Sequence, residues 1–289
     1  MFGKVYTDVE EFYTTCYGFL EKYEAENNLI FGILETLRTN IQAYDPIATP
    51  EMIAIFDNTD IVLVSLRTPP HNQIISFTEN QSSIPVLIDF LIENGIDIPG
   101  ILGFKDGALL FADIWTKKCK KTKILNMNER IYKLEEVNSQ TLGNNQFELA
   151  TEENIDILIK YAQNFIHDIF INLPKDQVER HQKRIAKEMQ KWVSERFVYV
   201  LKIHNQIVSI AKAARDTPNG RAINLVYTPP EYRRRGYATE MVAKLCQFIL
   251  NEGKKYCFLF TDLANPTSNK IYMNIGFKPI LDVDEYRFE

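Results

Sequence analysis

The stretch from Phe197 to Tyr227 constrains the fold of this chain most. It holds three runs of strand character, Phe197 to Ile203, Gln206 to Ala214 and Ala222 to Tyr227, separated by the turn signals His204-Asn205 and Thr217-Pro218-Asn219-Gly220. Strands joined by connections this short pair with their chain neighbours, so an antiparallel meander follows. After the third run come a loop, a predicted helix from Tyr237 to Asn251 stopped by Gly253, and a strand from Tyr256 to Thr261. Strand, loop, helix, strand is a βαβ-type unit. The class is therefore α/β (α+β) with a mixed, mostly antiparallel sheet flanked by helices.

The flanks agree with this. Thr151 to Phe170 places Ile155, Leu158, Ile159, Ala162, Phe165, Ile166 and Phe170 at three- and four-residue spacing, with Thr151 as N-cap and Glu152 and Glu153 in the first turn. Leu173-Pro174 breaks that helix, and a second runs from Lys175 to Ser194. Beyond the βαβ unit a helix spans Ser268 to Asn274, stopped by Gly276, and the tail Phe277 to Phe288 supplies one or two strands. The first half repeats the order in weakened form. Ala54 to Val64 reads as strand, turn, strand, Ile74 to Phe77 as a third strand, and Phe90-Leu91-Ile92-Glu93-Asn94-Gly95 as a helix end resembling Phe248 to Gly253. Residues 1–140 then form a degenerate copy of the fold at 145–289. The alternative is two unrelated α/β domains that share helix-ending chemistry.

Composition bounds the rest. At roughly 100 to 200 residues per domain, 289 residues make about two domains, and 45% hydrophobic content suffices for packed cores. No window approaches the roughly 18 apolar residues of a membrane span, and acidic residues stand where a signal peptide would be apolar, so a cytoplasmic location and no membrane partner are expected. Cys16, Cys119, Cys246 and Cys257 form no CxxC pair, and His71, His167, His181 and His204 show no ligand spacing, so no metal is expected. Lys plus Arg number 12 against 20 Asp plus Glu over residues 1–144, and 21 against 18 over 145–289. The second half is the better host for an anion, but its excess is too small to argue for nucleic acid. Lys117-Lys118-Cys119-Lys120-Lys121-Thr122-Lys123 reads as a solvated edge or linker-side strand.

The informative segment is Val226-Tyr227-Thr228-Pro229-Pro230-Glu231-Tyr232-Arg233-Arg234-Arg235-Gly236-Tyr237-Ala238-Thr239. A strand that feeds a basic, glycine-bearing loop at a helix N-terminus directs several unpaired backbone N–H groups into one concavity, and anions bind there. Gly236 lets backbone approach a phosphate, small Ala238 permits close packing of ligand on the helix, and the arginines add charge. No GKS/GKT and no GxGxxG supports another nucleotide loop.

In Arg233, Gly236 and Ala238 the loop resembles the GNAT acetyltransferase signature [QR]xxGx[GA]. Asn265 to Tyr272, then Gly276-Phe277, is similar to the family's ANxxSxxxYxxxGF segment, about 30 residues further on. The resemblance covers roughly residues 145–289 and implies two GNAT-like domains, of which the first lacks the basic loop. It implies acetyl-CoA as co-substrate, with its pyrophosphate at Arg233, Arg234, Arg235, Gly236, Tyr237, Ala238 and Thr239. It also implies a gap between Leu225–Tyr227 and Phe258–Thr261, with N–H groups of Val226 and Thr228 on the pantetheine and acetyl carbonyls beside Tyr227. Asn265 and Asn269 match positions that bind the pantetheine arm or position the tyrosine helix, and Tyr272 matches the tyrosine that protonates the departing thiolate. A general base is less clear from sequence: Glu231 and Asp262 are nearest, and water is the alternative. The implied reaction is direct acetyl transfer in a ternary complex to an amine, either a small molecule or a peptide or protein. A non-catalytic acyl-CoA-binding regulator and transfer of a longer acyl group stay open, as do the acceptor's identity and the oligomeric state.

Overall fold

A computed structural model describes residues 1–45, 47–169 and 175–289. In the first half the elements are β1 (Phe2–Tyr6), α1 (Val9–Glu21), α2 (Asn28–Thr39), β2 (Glu51–Asp57), β3 (Asp60–Arg67), β4 (Gln73–Ile75), α3 (Ser83–Glu93), β5 (Gly100–Phe104), α4 (Lys105–Cys119) and β6 (Lys123–Leu134). The second half repeats that order with β7 (Gln146–Leu149), α5 (Ile155–Ile169), α6 (Lys175–Ser194), β8 (Val198–Ile203), β9 (Gln206–Asp216), β10 (Gly220–Tyr227), α7 (Tyr237–Asn251), β11 (Tyr256–Asp262), α8 (Pro266–Ile275) and β12 (Lys278–Phe288). Each half is a mixed, mostly antiparallel sheet flanked by helices. The tail forms one strand, and the break at Leu173-Pro174 lies outside the described residues.

Both halves share one 12-stranded sheet, ordered β1-β2-β3-β4-β5-β12-β6-β11-β10-β9-β8-β7. The halves exchange their last strands. β12, from the second half, lies between β5 and β6, and β6, from the first half, lies between β11 and β12. β6 and β12 pair antiparallel from Lys278↔Lys133 to Phe288↔Lys123, at the centre of a two-fold-like arrangement.

The helices divide between the faces. On one face α1 and α2 cover Met52, Ala54, Val64 and Leu66, and α5 and α6 cover Val198, Val200, Ile210 and Leu225. On the other, α3 and α4 cover Ile53, Ile55 and Leu63, and α7 and α8 cover Leu134, Ala211, Ala213 and Leu259. Strand alternation sends successive side chains to opposite faces, so each strand feeds two cores.

Contacts from the connecting segment and from the first half anchor the elements around the loop. Asn145 donates through its N and Nδ2 to the buried Glu240 carboxylate on α7, at 2.7 and 2.6 Å. A Cβ at Gly276 would lie 2.6 Å from the Glu136 carbonyl, so glycine there lets the connecting segment seat against the end of α8. Glu24, before α2, accepts from Asn219 N at 2.7 Å and thereby closes the β9–β10 turn. The basic run 117–123 is largely solvated. It spans the end of α4 and the start of β6, where Lys118, Lys121 and Lys123 pair with Asp89, Asp97 and Asp113.

Candidate active site

β10 and β11 pair in parallel only from Gly220↔Tyr256 to Ala222↔Phe258. Beyond that, β11 keeps its bonds to β6 as far as Asp262↔Glu129, while β10 stays on β9. A register shift lies between Asn224 and Tyr227, and Leu225 takes φ +53° within it. A left-handed leucine costs about 1 to 2 kcal/mol, and the bulge bends its strand. The two strands part here, leaving no strand between Ile223–Tyr227 and Leu259–Asp262.

The parting leads directly to the basic loop. Pro230–Tyr232 forms a single 3-10 turn, Arg234 has φ +62°, and Gly236 has φ +83° as N-cap of α7. Gly236 offers no side-chain cap, so the first-turn N–H groups of Tyr237, Ala238 and Thr239 lack intrahelical acceptors. α7 itself forms because Met241, Val242, Leu245, Cys246 and Ile249 recur on one buried face. Arg234 and Arg235 are exposed. Arg233 folds back: its Nη2 donates to Asp168 of α5 at 2.6 Å and its Nε to the Thr228 carbonyl at 2.9 Å. Its guanidinium lies 5.6 Å from the centre of the Tyr227 ring. Asp168 gave no signal in the sequence, because its partner is 65 residues away.

α8 borders the other side. Asn265 caps it by accepting from Ser268 N at 3.1 Å, and Pro266 follows at N1. Asn269 Nδ2 donates to the carbonyls of Asp262 and Asn265, while its Oδ1 accepts from the Tyr132 hydroxyl at 2.9 Å. Tyr272 is 8% exposed, with its ring against Tyr132 and Phe277. Burial pushes its phenol well above the ordinary range, which keeps it protonated. Asp262 is exposed and accepts from Ala264 N at 2.7 Å, closing the turn into α8; Glu231 is exposed on the 3-10 turn. Val226 and Thr228 are partly buried along the parted edge.

Sequence reading missed a set of polar residues on the face away from α7. Glu129 lies on β6, opposite Asp262 in register. Burial, then the neighbouring Glu285 and Asp262 carboxylates, push its pKa up to about 7. Lys212 and Arg215 of β9 and Asn224 of β10 share that face; Lys212 Nζ sits 3.7 Å from the centre of the Trp192 ring of α6. The spacing of β6 alone held no hint of this, because the strand precedes its neighbour β11 by more than 120 residues.

The corresponding place in the first half is closed. β4 and β5 pair at Gln73↔Ile101 and Ile74↔Leu102. Just beyond, Phe77 packs edge-on against Phe104 at 5.4 Å and Tyr23 at 4.8 Å. Its loop is tied to itself through Ser82, Asn80 and Thr78 and carries no basic residue.

Among the described residues, no group of His, Cys, Asp and Glu is placed to hold a metal ion. No helix among them is long and apolar enough to cross a membrane.

Residues 164–277 match the model of the acetyltransferase (GNAT) family. No curated protein matches the chain. Among solved structures, a GNAT-family acetyltransferase from Colwellia psychrerythraea aligns over 100% of both chains at 11% identity and TM-score 0.58. A Drosophila protein aligns over 99% of this chain and 98% of its own at 10% identity and TM-score 0.63. A tandem GNAT protein of the clavulanic acid biosynthesis pathway aligns over 90% of this chain and 87% of its own, at 9% identity and TM-score 0.53. The segment matched by the GNAT family model holds the parted strands, the basic loop and α8, and the whole chain, with one order of elements repeated in its two halves, shares the fold of these solved structures.

Proposed function

We propose that this acyltransferase moves an acetyl group from acetyl-CoA to a primary amine by direct transfer in a ternary complex, with acetyl-CoA bound by the second half alone. The observation that carries this reading is the parting of β10 from β11 beside the uncapped N-terminus of α7. Tyr237, Ala238 and Thr239 present N–H groups to a pyrophosphate, Gly236 admits it without a Cβ, and Arg234 and Arg235 supply charge from solvent. Arg233, held by Asp168 and Thr228, shapes the loop. The parted edge at Val226 and Thr228, beside Tyr227, offers backbone partners to the pantetheine arm and the acetyl carbonyl. Asn265 and Asn269 hold α8 in place for Tyr272.

Glu129 is better suited than Glu231 or Asp262 to take the proton from an ammonium, directly or through water. Its affinity for protons is matched to neutral pH, whereas Glu231 is in solvent and Asp262 closes a turn. The freed nitrogen attacks the thioester carbon, the C–S bond breaks as the tetrahedral adduct collapses, and Tyr272 protonates the departing sulfur. The second proton of the adduct nitrogen restores the phenol. No cysteine serves as a carrier in this scheme; Cys246 and Cys257 are fully buried.

Titration calorimetry with acetyl-CoA tests the reading. Binding is expected, and it should weaken at least tenfold in a double variant carrying Arg234→Ala and Arg235→Ala. Absence of binding by acetyl-CoA, with ATP or NAD bound in its place, would falsify the cofactor assignment.

A further inference from the structure

On the sheet face away from α7 two polar atoms, one of Arg215 and one of Asn224, are buried without a hydrogen-bond partner among the described residues, and the desolvated ammonium of Lys212 stands beside them. Arg215 leaves β9 where two residues stand against one on β10, between the pairs Arg221↔Asp216 and Ile223↔Ala213. Helix α2 covers it: a Cβ added to Gly32 would lie 2.3 Å from the Arg215 Cβ. Its Nε is buried and finds no hydrogen-bond partner among the described residues. No carboxylate among them lies within ion-pair distance of it. Lys212 stands three residues earlier on the same strand, its ammonium over the Trp192 ring. Asn224, its cross-strand partner on β10, has a buried Oδ1 with no partner among the described residues.

Two cations desolvated side by side are unfavourable without an anion. Burial lowers the proton affinity of both, and for Lys212 the Arg215 charge lowers it further against partial relief from Glu188 and Glu195. Among the described residues Tyr44 and then Glu129 ease Arg215, neither by an ion pair at contact distance. Asn224 Oδ1 adds an unused acceptor at the first turns of the gap between β10 and β11. An acceptor oxygen suits an amine N–H, and paired cations suit an oxyanion.

We propose that the acceptor is a compact amine that also carries an anionic group, carboxylate or phosphate, with the anion held by Arg215 and Lys212 and the nitrogen directed to Asn224. This rests on the acyl-transfer reading above. It differs from what net charge alone suggests, since the acidic first half would favour a purely cationic amine. The first half does supply Glu129, but the second half supplies the two buried cations, so the two ends of a zwitterion find opposite walls.

The test uses the full chain, saturating acetyl-CoA and detection of free thiol. The probes are matched pairs: glycine with methylamine, β-alanine with ethylamine, phosphoethanolamine with ethylamine. The charged member of at least one pair should be used with kcat/KM tenfold or more above its neutral counterpart. The carboxylate and phosphate arms separate the two sources of negative charge. Arg215→Gln should raise KM for the preferred acceptor at least tenfold while acetyl-CoA affinity by calorimetry stays within twofold. Lys212→Met should reduce the same preference and raise the melting temperature of the free protein, because it removes a desolvated cation; this variant decides the matter if Arg215→Gln does not fold. Equal or better use of the neutral amines, no turnover of any anionic amine despite bound acetyl-CoA, or an unchanged preference in both variants overturns the proposal. Failure of acetyl-CoA to bind at all overturns the acyl-transfer reading instead.

Discussion

Tyr272, in the core under α7 and α8, and Glu129, on the opposite face of the sheet, differ in how far the sequence shows them. Tyr272 sits in a recognisable local pattern, about one turn of helix before Gly276-Phe277, and burial beside Tyr132 and Phe277 keeps the phenol protonated. Replacement by Phe is expected to lower kcat about 100-fold, the usual scale for a lost general acid. Acetyl-CoA affinity should stay within twofold, as calorimetry would show. Glu129 had no such pattern around it. Its raised pKa means that the folded state holds a proton that the unfolded chain releases, so stability falls as pH rises from about 4.5 to about 7. The loss is of order 2 kcal/mol after allowance for partial solvent access. Thermal unfolding across that window should flatten in Glu129→Gln, whose turnover should also lose its rise near neutral pH.

At the scale of elements, the legible parts were those with local rules. α7 runs from Tyr237 to Asn251 as its periodicity requires, and Gly253, at φ +96°, ends it. The bulge at Leu225 was not legible, because nothing in Ile223-Asn224-Leu225-Val226 favours a left-handed leucine; pairing on β9 imposes it. Gly236 is the position where conformation and ligand approach coincide. Gly236→Ala has open space but a strained φ, so it should cost about 1 to 2 kcal/mol of stability in denaturant unfolding. It should also weaken acetyl-CoA binding. In the first half, the aromatic contact of Phe77 with Phe104 and Tyr23 fills the equivalent opening, and calorimetry should return one acetyl-CoA per chain rather than two.

For the whole molecule, the exchange of β6 and β12 makes the division into 1–140 and 145–289 one of sequence order more than of folding units. A fragment of residues 145–289 lacks the strand that separates β11 from β12 and would leave β11 with an unpaired edge. Expressed alone it should aggregate or lack cooperative unfolding, whereas co-expression with residues 1–144 should restore a 1:1 complex with the sheet complete. A monomeric fragment with a sharp thermal transition would show that the halves fold independently.

Sequence by itself determined the order of helices and strands from Thr151 onward, a partial repeat of it around Ala54 to Gly95, the basic loop and the α8 segment, because turns, caps and periodicity act over a few residues. Tertiary structure alone decided which strand lies beside β11. That pairing depends on contacts made across more than a hundred residues, which no local pattern encodes. It also brought Glu129, Arg215, Lys212 and Asn224 to one face, where burial, and not residue type, sets their chemistry.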